Sequence, residues 1–254
     1  MEVKGKRRQK TDFEGILMLV LILLAAVVGG MIIREALPYV ESADYQKSLA
    51  DDVVTEPDPQ DIRKDTEAVV SVSSETAESV VSESAPDSYP EEMYRHVDWE
   101  ALRARNKDIR GWIYIPKTGA DYPVLRSKDE EYLHLDADGH ERFSGSIFTW
   151  TGADNHIGAA HCVLFGHNMI DNSMFGSLDQ LAPGDKVYIY TPDDWCREYT
   201  VYENVIVSKS DRIFQKGWRD EERKQVLTLA TCPGRGSDTS RRIVNTEMTR
   251  LKRG

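Results

Sequence analysis

Eighteen consecutive residues without a charge, Ile16 to Ile33, constrain this chain more than any other feature. At ~1.5 Å per residue they make about 27 Å of helix, enough to cross a hydrocarbon core of about 30 Å. Lys4, Lys6, Arg7, Arg8 and Lys10 precede the run and Arg34-Glu35 close it. This bias keeps the N-terminus in the cytosol and sends the chain beyond the run to the outer face. A cleaved signal peptide is the competing reading, but its apolar core usually holds about 7–15 residues, and Gly29-Gly30-Met31 is a poor small-x-small cleavage site. The expectation is a basic cytoplasmic segment over 1–14 and an uncleaved signal-anchor over 15–34, giving a single-pass protein of the cell membrane.

The net charge of -11 is not spread evenly. Residues 41–90 hold 13 Asp/Glu against 3 Lys/Arg, while 1–40 carry +2 and the remainder -3. No basic stripe is left to serve nucleic acid. Ser, Glu, Asp, Val and Pro dominate 41–90, too little apolar surface to offset ordering entropy. Residues 35–90 therefore read as an acidic flexible stalk, a coil whose fifty central residues span about 40 Å.

The remaining segment, 91–254, carries the domain. Asp98 is positioned to cap a short helix through Arg105. Strand signals follow at 111–116, 122–125, 145–150, 160–167, 186–191, 198–207, 226–232 and 242–249, short runs rich in β-branched and aromatic residues. The spacing also predicts a helical turn over 130–136, a helix over 174–181 with one face on the sheet, and a charged helix over about 211–224. Eight short strands with a few peripheral helices make a mostly β class, a barrel or a strongly curved sheet.

Val226 to Cys232, followed at once by Pro233-Gly234, is a buried strand that runs out at its cysteine. A thiol there is held by a rigid element beside a loop, where a thiolate can be approached. Its candidate partners are His167, at the end of the apolar run from Ala160, and the pair Arg241-Arg242. At His167 a structural and a catalytic reading both stand. Strand alternation lets only one of the two guanidiniums reach the thiol. With three cysteines one at least is unpaired; Cys162 reads as a buried thiol, and a Cys162–Cys196 disulfide is open. His134, His140, His156 and His161 show no metal-ligand spacing, and no Walker loop, dinucleotide fingerprint or Gly-x-Ser-x-Gly elbow is present. Gly234-Arg235-Gly236 reads as a turn.

Thr228-Leu229-Ala230-Thr231-Cys232, with an arginine ten residues on and Gly166-His167-Asn168 upstream, resembles the sortases, the membrane-anchored cysteine transpeptidases of Gram-positive bacteria. The likeness covers about 91–250 and extends to Gly111-Trp112-Ile113, Tyr122-Pro123-Val124 and Gly145-Ser146-Ile147-Phe148. The N-terminal helix, Tyr132 to Asp136, and Asn168-Met169 with Ser173 to Gly176 look most like class B. The resemblance implies an eight-stranded barrel, a nucleophile at Cys232, an acid and base at His167, and an oxyanion-stabilising arginine at Arg242. It implies substrate contacts at Phe165, Ala230 and Thr231, and no metal or organic cofactor. The implied partners are surface proteins with Asn-Pro-x-Thr-Asn-like or Pro-x-Thr-Gly-like sorting signals and an amine of the peptidoglycan cross-bridge or its lipid-linked precursor.

Three features depart from the family pattern. The segment 208–224 is short where class B members carry a long helical insertion, Ala230 replaces a frequent serine, and Phe165 replaces an aromatic hydroxyl. A pilin-polymerising enzyme of the same fold is the alternative activity. A non-catalytic binding module and a secreted cysteine protease are the readings from other classes.

Overall fold

A computed structural model of the chain describes residues 6–63, 89–150, 155–234 and 239–253, with side chains from Gly15 onward. The chain divides into two compact units, Met1–Ser42 and Ala43–Gly254. Helix α1, Lys6–Val53, begins in the first. Its large apolar side chains from Ile16 to Ile33 stand exposed, and the helix is long and apolar enough to cross a membrane.

The second unit opens with the last residues of α1, where the chain departs from the expected stalk. Tyr45, Leu49 and Val53 recur every four residues and so share one helix face. Leu49 and Val53 are buried in a cluster with Met93, Val97, Leu102 and Trp112. Strand β1, Val54–Thr55, then pairs antiparallel with β2, His96–Val97. Charge density hides this stripe of three residues in the sequence, and burial decides the outcome. The rest of the expected stalk, 64–88, lies outside the described residues, as do 235 and 236 of the expected turn.

Helix α2, Trp99–Arg105, forms where expected, and the Asp98 carboxylate accepts from Ala101 N at 2.9 Å. Eight strands then close a barrel: β3 Ile109–Ile115, β4 Ala120–Ser127, β5 Ile147–Trp150, β6 His161–Phe165, β7 Lys186–Thr191, β8 Trp195–Ser208, β9 Val226–Thr231 and β10 Ser240–Arg253. Their order is β10-β8-β7-β3-β4-β5-β6-β9, with β9 returning to β10. Closure removes every free edge, the usual hazard of an antiparallel sheet. Two pairs are parallel, β4 with β5 and β6 with β9. Val124 beside Ile147, and Leu164 beside Leu229 beside Val244, are inward rows without solvent exposure.

Two expected helices do not form. Over 174–181 the only helical turn is 3-10, Leu178–Gln180. Asn172 and Met174 both take positive φ, and a Cβ on Gly176 would lie 2.3 Å from Met169 O, so a tight backbone reversal replaces the helix. Over 211–224 only Arg212–Phe214 turns, and Gly217 at φ +79° directs the chain into a loop. The apolar residues of that loop serve the sheet: Ile213, Phe214 and Trp218 cover the outer face of β6, β9 and β10 at Val163, Ala230 and Ile243. All three cysteines are free thiols, so Cys162 and Cys196 are not bridged.

Leu49→Ala in the full chain is expected to cost about 2–5 kcal/mol, as for other buried leucines. Urea unfolding followed by far-UV circular dichroism in a neutral detergent checks this, since an undocked coil would leave stability unchanged.

Candidate active site

The parallel pairing of β6 with β9 sets the site. Its register places Phe165 beside Ala230, so His167 and Cys232 each follow two residues later at the same rim of the barrel. Three hydrogen bonds hold the two strand ends together: Gly166 N donates to Ala230 O at 3.2 Å, Thr231 Oγ1 to Gly166 O at 2.7 Å, and Asn168 Nδ2 to Cys232 O at 2.7 Å. Gly166 lets the ends pack closely, because a Cβ there would meet Ile147 Cδ1 at 2.4 Å and the Phe175 ring at 2.9 Å and force both to shift. Cys232 is half-buried.

His167 is oriented from outside the barrel. Its Nε2 lies 2.8 Å from Leu133 O, and a carbonyl only accepts, so the Nε2 proton is fixed there and Nδ1 is left for proton exchange. Leu133 ends the 3-10 turn Glu131–Leu133, in a loop returning through Gly145. Gly145 has φ +55°, and a Cβ on it would meet Leu133 O at 2.4 Å. Asp136, fully buried, ties the loop by accepting from His140 N, Asp138 N and Arg142 Nε at 2.9–3.0 Å. The end of α1 grips the same loop, as Tyr45 donates to Asp138 and its ring lies 4.2 Å under the Arg142 guanidinium.

The two arginines separate as alternation requires, and the register says which goes where. Arg242 pairs across from Thr231 and donates from Nη1 to Asn204 Oδ1 at 2.9 Å. Asn204 in turn donates to Leu178 O and Leu181 O. Arg241 shares its face with Ile243, which lies opposite Ala230, and Cys232 follows β9 directly, one residue beyond Thr231. Arg241 therefore lies on the face of Ala230 and Arg242 on the face of Thr231.

A cleft of about 470 Å³ runs along the same outer face, walled by His161, Val163 and Phe165 from β6 and by Ile213, Phe214 and Trp218 from the facing loop. Phe165 is half-buried there, its ring 4.4 Å from Trp150 and 6.1 Å from Phe214. The two other expected substrate contacts do not line the cleft. Ala230 is buried beneath the rings, and Thr231 is buried with its hydroxyl on Gly166 O. Their small size permits the strand packing. The cleft wall at Ile213, Phe214 and Trp218 escaped the sequence reading because its apolar residues are interspersed among charges.

Under the cleft runs a line of satisfied polar groups. Thr228 Oγ1 donates to Asn245 Oδ1, so it accepts from His161 Nε2–H at 3.0 Å, and Asn245 Nδ2 donates to Glu203. Burial holds His161 neutral, its pKa lowered to about 4, with its ring edge-on to Trp218 at 4.5 Å. Neighbouring Cys162 faces inward with its sulfur 3.9 Å from Thr149 Oγ1, and burial pushes this thiol up to about 12. Burial also raises Cys196 to about 12. Adjacent in sequence, His161 and Cys162 occupy opposite faces and do not form a pair. Among the described residues no cluster of His, Cys, Asp and Glu could hold a metal.

Barrel, strand-end thiol and outward cleft define a β-barrel enzyme of cysteine chemistry, and the comparisons give its family. A sortase domain model matches residues 113–249. Sortase B of Staphylococcus aureus is 28% identical over 175 residues, 58% of this chain and 72% of that protein. Sortase B of Listeria monocytogenes is 35% identical over 103 residues, 40% of this chain and 42% of that protein. The S. aureus sortase B–substrate complex shares the fold at TM-score 0.51 and 24% identity, over 60% of this chain and 84% of that one. Sortase B of Clostridium perfringens does so at TM-score 0.52 and 22% identity, over 60% and 100%. The chain belongs to the sortase family, as a cysteine transpeptidase of the class B type.

Two outcomes are expected from this geometry. Iodoacetamide at pH 7.5 should alkylate Cys232 and leave Cys162 and Cys196 as protonated, inaccessible thiols until the chain is unfolded, which peptide mapping by mass spectrometry reads directly. Gly145→Ala should displace the Leu133 carbonyl and lower kcat by as much as ~10²-fold, the cost of a misplacement of about 1 Å. Steady-state kinetics on protein of native circular dichroism tests this, and unchanged kcat would refute the positioning role.

Proposed function

We propose that the chain attaches surface proteins to the cell wall, with Cys232 as nucleophile, His167 as acid and base, and Arg241 as the oxyanion partner. The observation that supports this reading is the β6–β9–β10 register: β6 and β9 run out at one rim just before His167 and Cys232, and β10 starts there, with Arg241 as its second residue. The Cys232 thiolate attacks the threonine carbonyl carbon of a sorting signal, forming a C–S bond as the carbonyl electrons move to oxygen. Arg241 stabilises that oxyanion, a contribution often near 3–4 kcal/mol for one well-placed donor. Collapse breaks the C–N bond, and imidazolium His167 gives its Nδ1 proton to the departing amine. An amine of the peptidoglycan cross-bridge or its lipid-linked precursor then attacks the thioester, His167 takes its proton, and the thiolate leaves.

The rings and aliphatic groups of Val163, Phe165, Phe214 and Trp218 suit an extended segment with proline, as in Asn-Pro-x-Thr-Asn or Pro-x-Thr-Gly. The basic N-terminal flank supports an orientation with the barrel outside the cell, anchored through α1. The motif spacing points to Arg242 as the arginine, but its hydrogen bond to Asn204 and its place opposite Thr231 support a structural task for it.

Mass spectrometry of the full chain with each peptide should show an acyl adduct on Cys232, lost in Cys232→Ala, and an amine-dependent ligation product. Arg241→Gln should lower kcat/KM by ~10²–10³-fold, and Arg242→Gln by less than ~10-fold with a lower melting temperature. The reverse order of the two variants would return the role to Arg242.

A further inference from the structure

At the end of the barrel away from Cys232, a second cavity of about 360 Å³ opens where β4, β5 and β7 end and β3, β6 and β8 begin. Arg103, Arg110, Arg126 and Arg197 line it together with His156, and Asp193 is the only acidic residue of its lining among the described residues. None of these four arginines makes an ion pair among the described residues. Two occupy inward-facing register positions. Arg126 lies beside buried Thr149, and Arg197 opposite fully buried Ile189. Arg197 spends one donor on Thr191 Oγ1, and Arg110 bonds only to the carbonyls of Lys107 and Ile109. Arg126 Nε is buried without a hydrogen-bond partner among the described residues.

Four guanidiniums around one cavity repel each other, and a buried N–H without an acceptor adds a desolvation cost. Among the described residues no carboxylate pairs with these four, whereas Arg95 holds both Asp121 and Glu56, and Arg142 holds Asp136. The cavity's described lining sets four guanidiniums against one carboxylate, Asp193, so the charge it calls for is an anion. Its N–H groups come as planar forks from several directions, the arrangement that matches the oxygens of a phosphate group better than a single carboxylate. We propose that this cavity binds a phosphate group, at a site separate from the catalytic rim.

Isothermal titration of the full chain in a neutral detergent, at constant ionic strength set with sodium chloride, tests this with inorganic phosphate and sn-glycerol 3-phosphate as probes. Saturable binding of at least one probe is expected, weakened at least tenfold in Arg126→Gln/Arg197→Gln and several-fold in Arg103→Gln/Arg110→Gln. The second pair lies on exposed positions, so it keeps the test decisive if the inward pair impairs folding. Tighter binding of glycerol phosphate would assign the source to an esterified headgroup or polymer, and tighter binding of inorganic phosphate to the free ion. No saturable heat with either probe, or affinities unmoved by the rim pair, would overturn the proposal.

Discussion

The parallel pairing of β6 with β9 is the constraint on which the rest of this structure depends. Parallel neighbours end at the same rim, so residues far apart in sequence emerge side by side without any loop having to find them. Fixing Phe165 against Ala230 fixes His167 against Cys232, and pairing of β9 with antiparallel β10 brings the start of β10 to the same place. A slip of one residue in either ladder would turn every side chain to the other face and separate the three. The small residues Gly166, Ala230 and Thr231 are therefore structural determinants of the site. They allow the ladder ends to approach, and Thr231 seals the join with its hydroxyl.

Order at this rim also depends on elements outside the barrel. The carbonyl that holds His167 belongs to a loop tied by buried Asp136 and gripped by Tyr45 at the end of α1. Residues 43–53 are thus part of the enzyme rather than a tether leading to it. The strands away from the rim perform two tasks, closing the sheet so that no edge is exposed and presenting one rim with a fixed geometry.

Legibility in the sequence followed the range of the interaction concerned. Strand positions were readable because alternation and β-branching are local, and the Asp98 cap because it spans three residues. Cys232 was readable because a strand that ends in a thiol before Pro-Gly is a local pattern. The helices assigned over 174–181 and 211–224 failed where positive φ at Asn172, Met174 and Gly217 and packing across the sheet overrode spacing. The α1 stripe of Tyr45, Leu49 and Val53 was lost in an acidic background, since its value comes from surfaces contributed by residues 93–132.

The sequence by itself determined a segment long and apolar enough to span a membrane, a mostly β domain, and Cys232 with His167 as the candidate pair. Charge, periodicity and strand ends are properties of neighbouring residues, which is why they could be read there. It also determined that only one of Arg241 and Arg242 shares the thiol's face. Only the tertiary structure decided what walls the cleft, what orients His167 and where four arginines without ion pairs among the described residues converge. Each of these is a matter of register or of contact between segments far apart in the chain, set by hydrogen-bond ladders and burial that no single stretch of sequence contains.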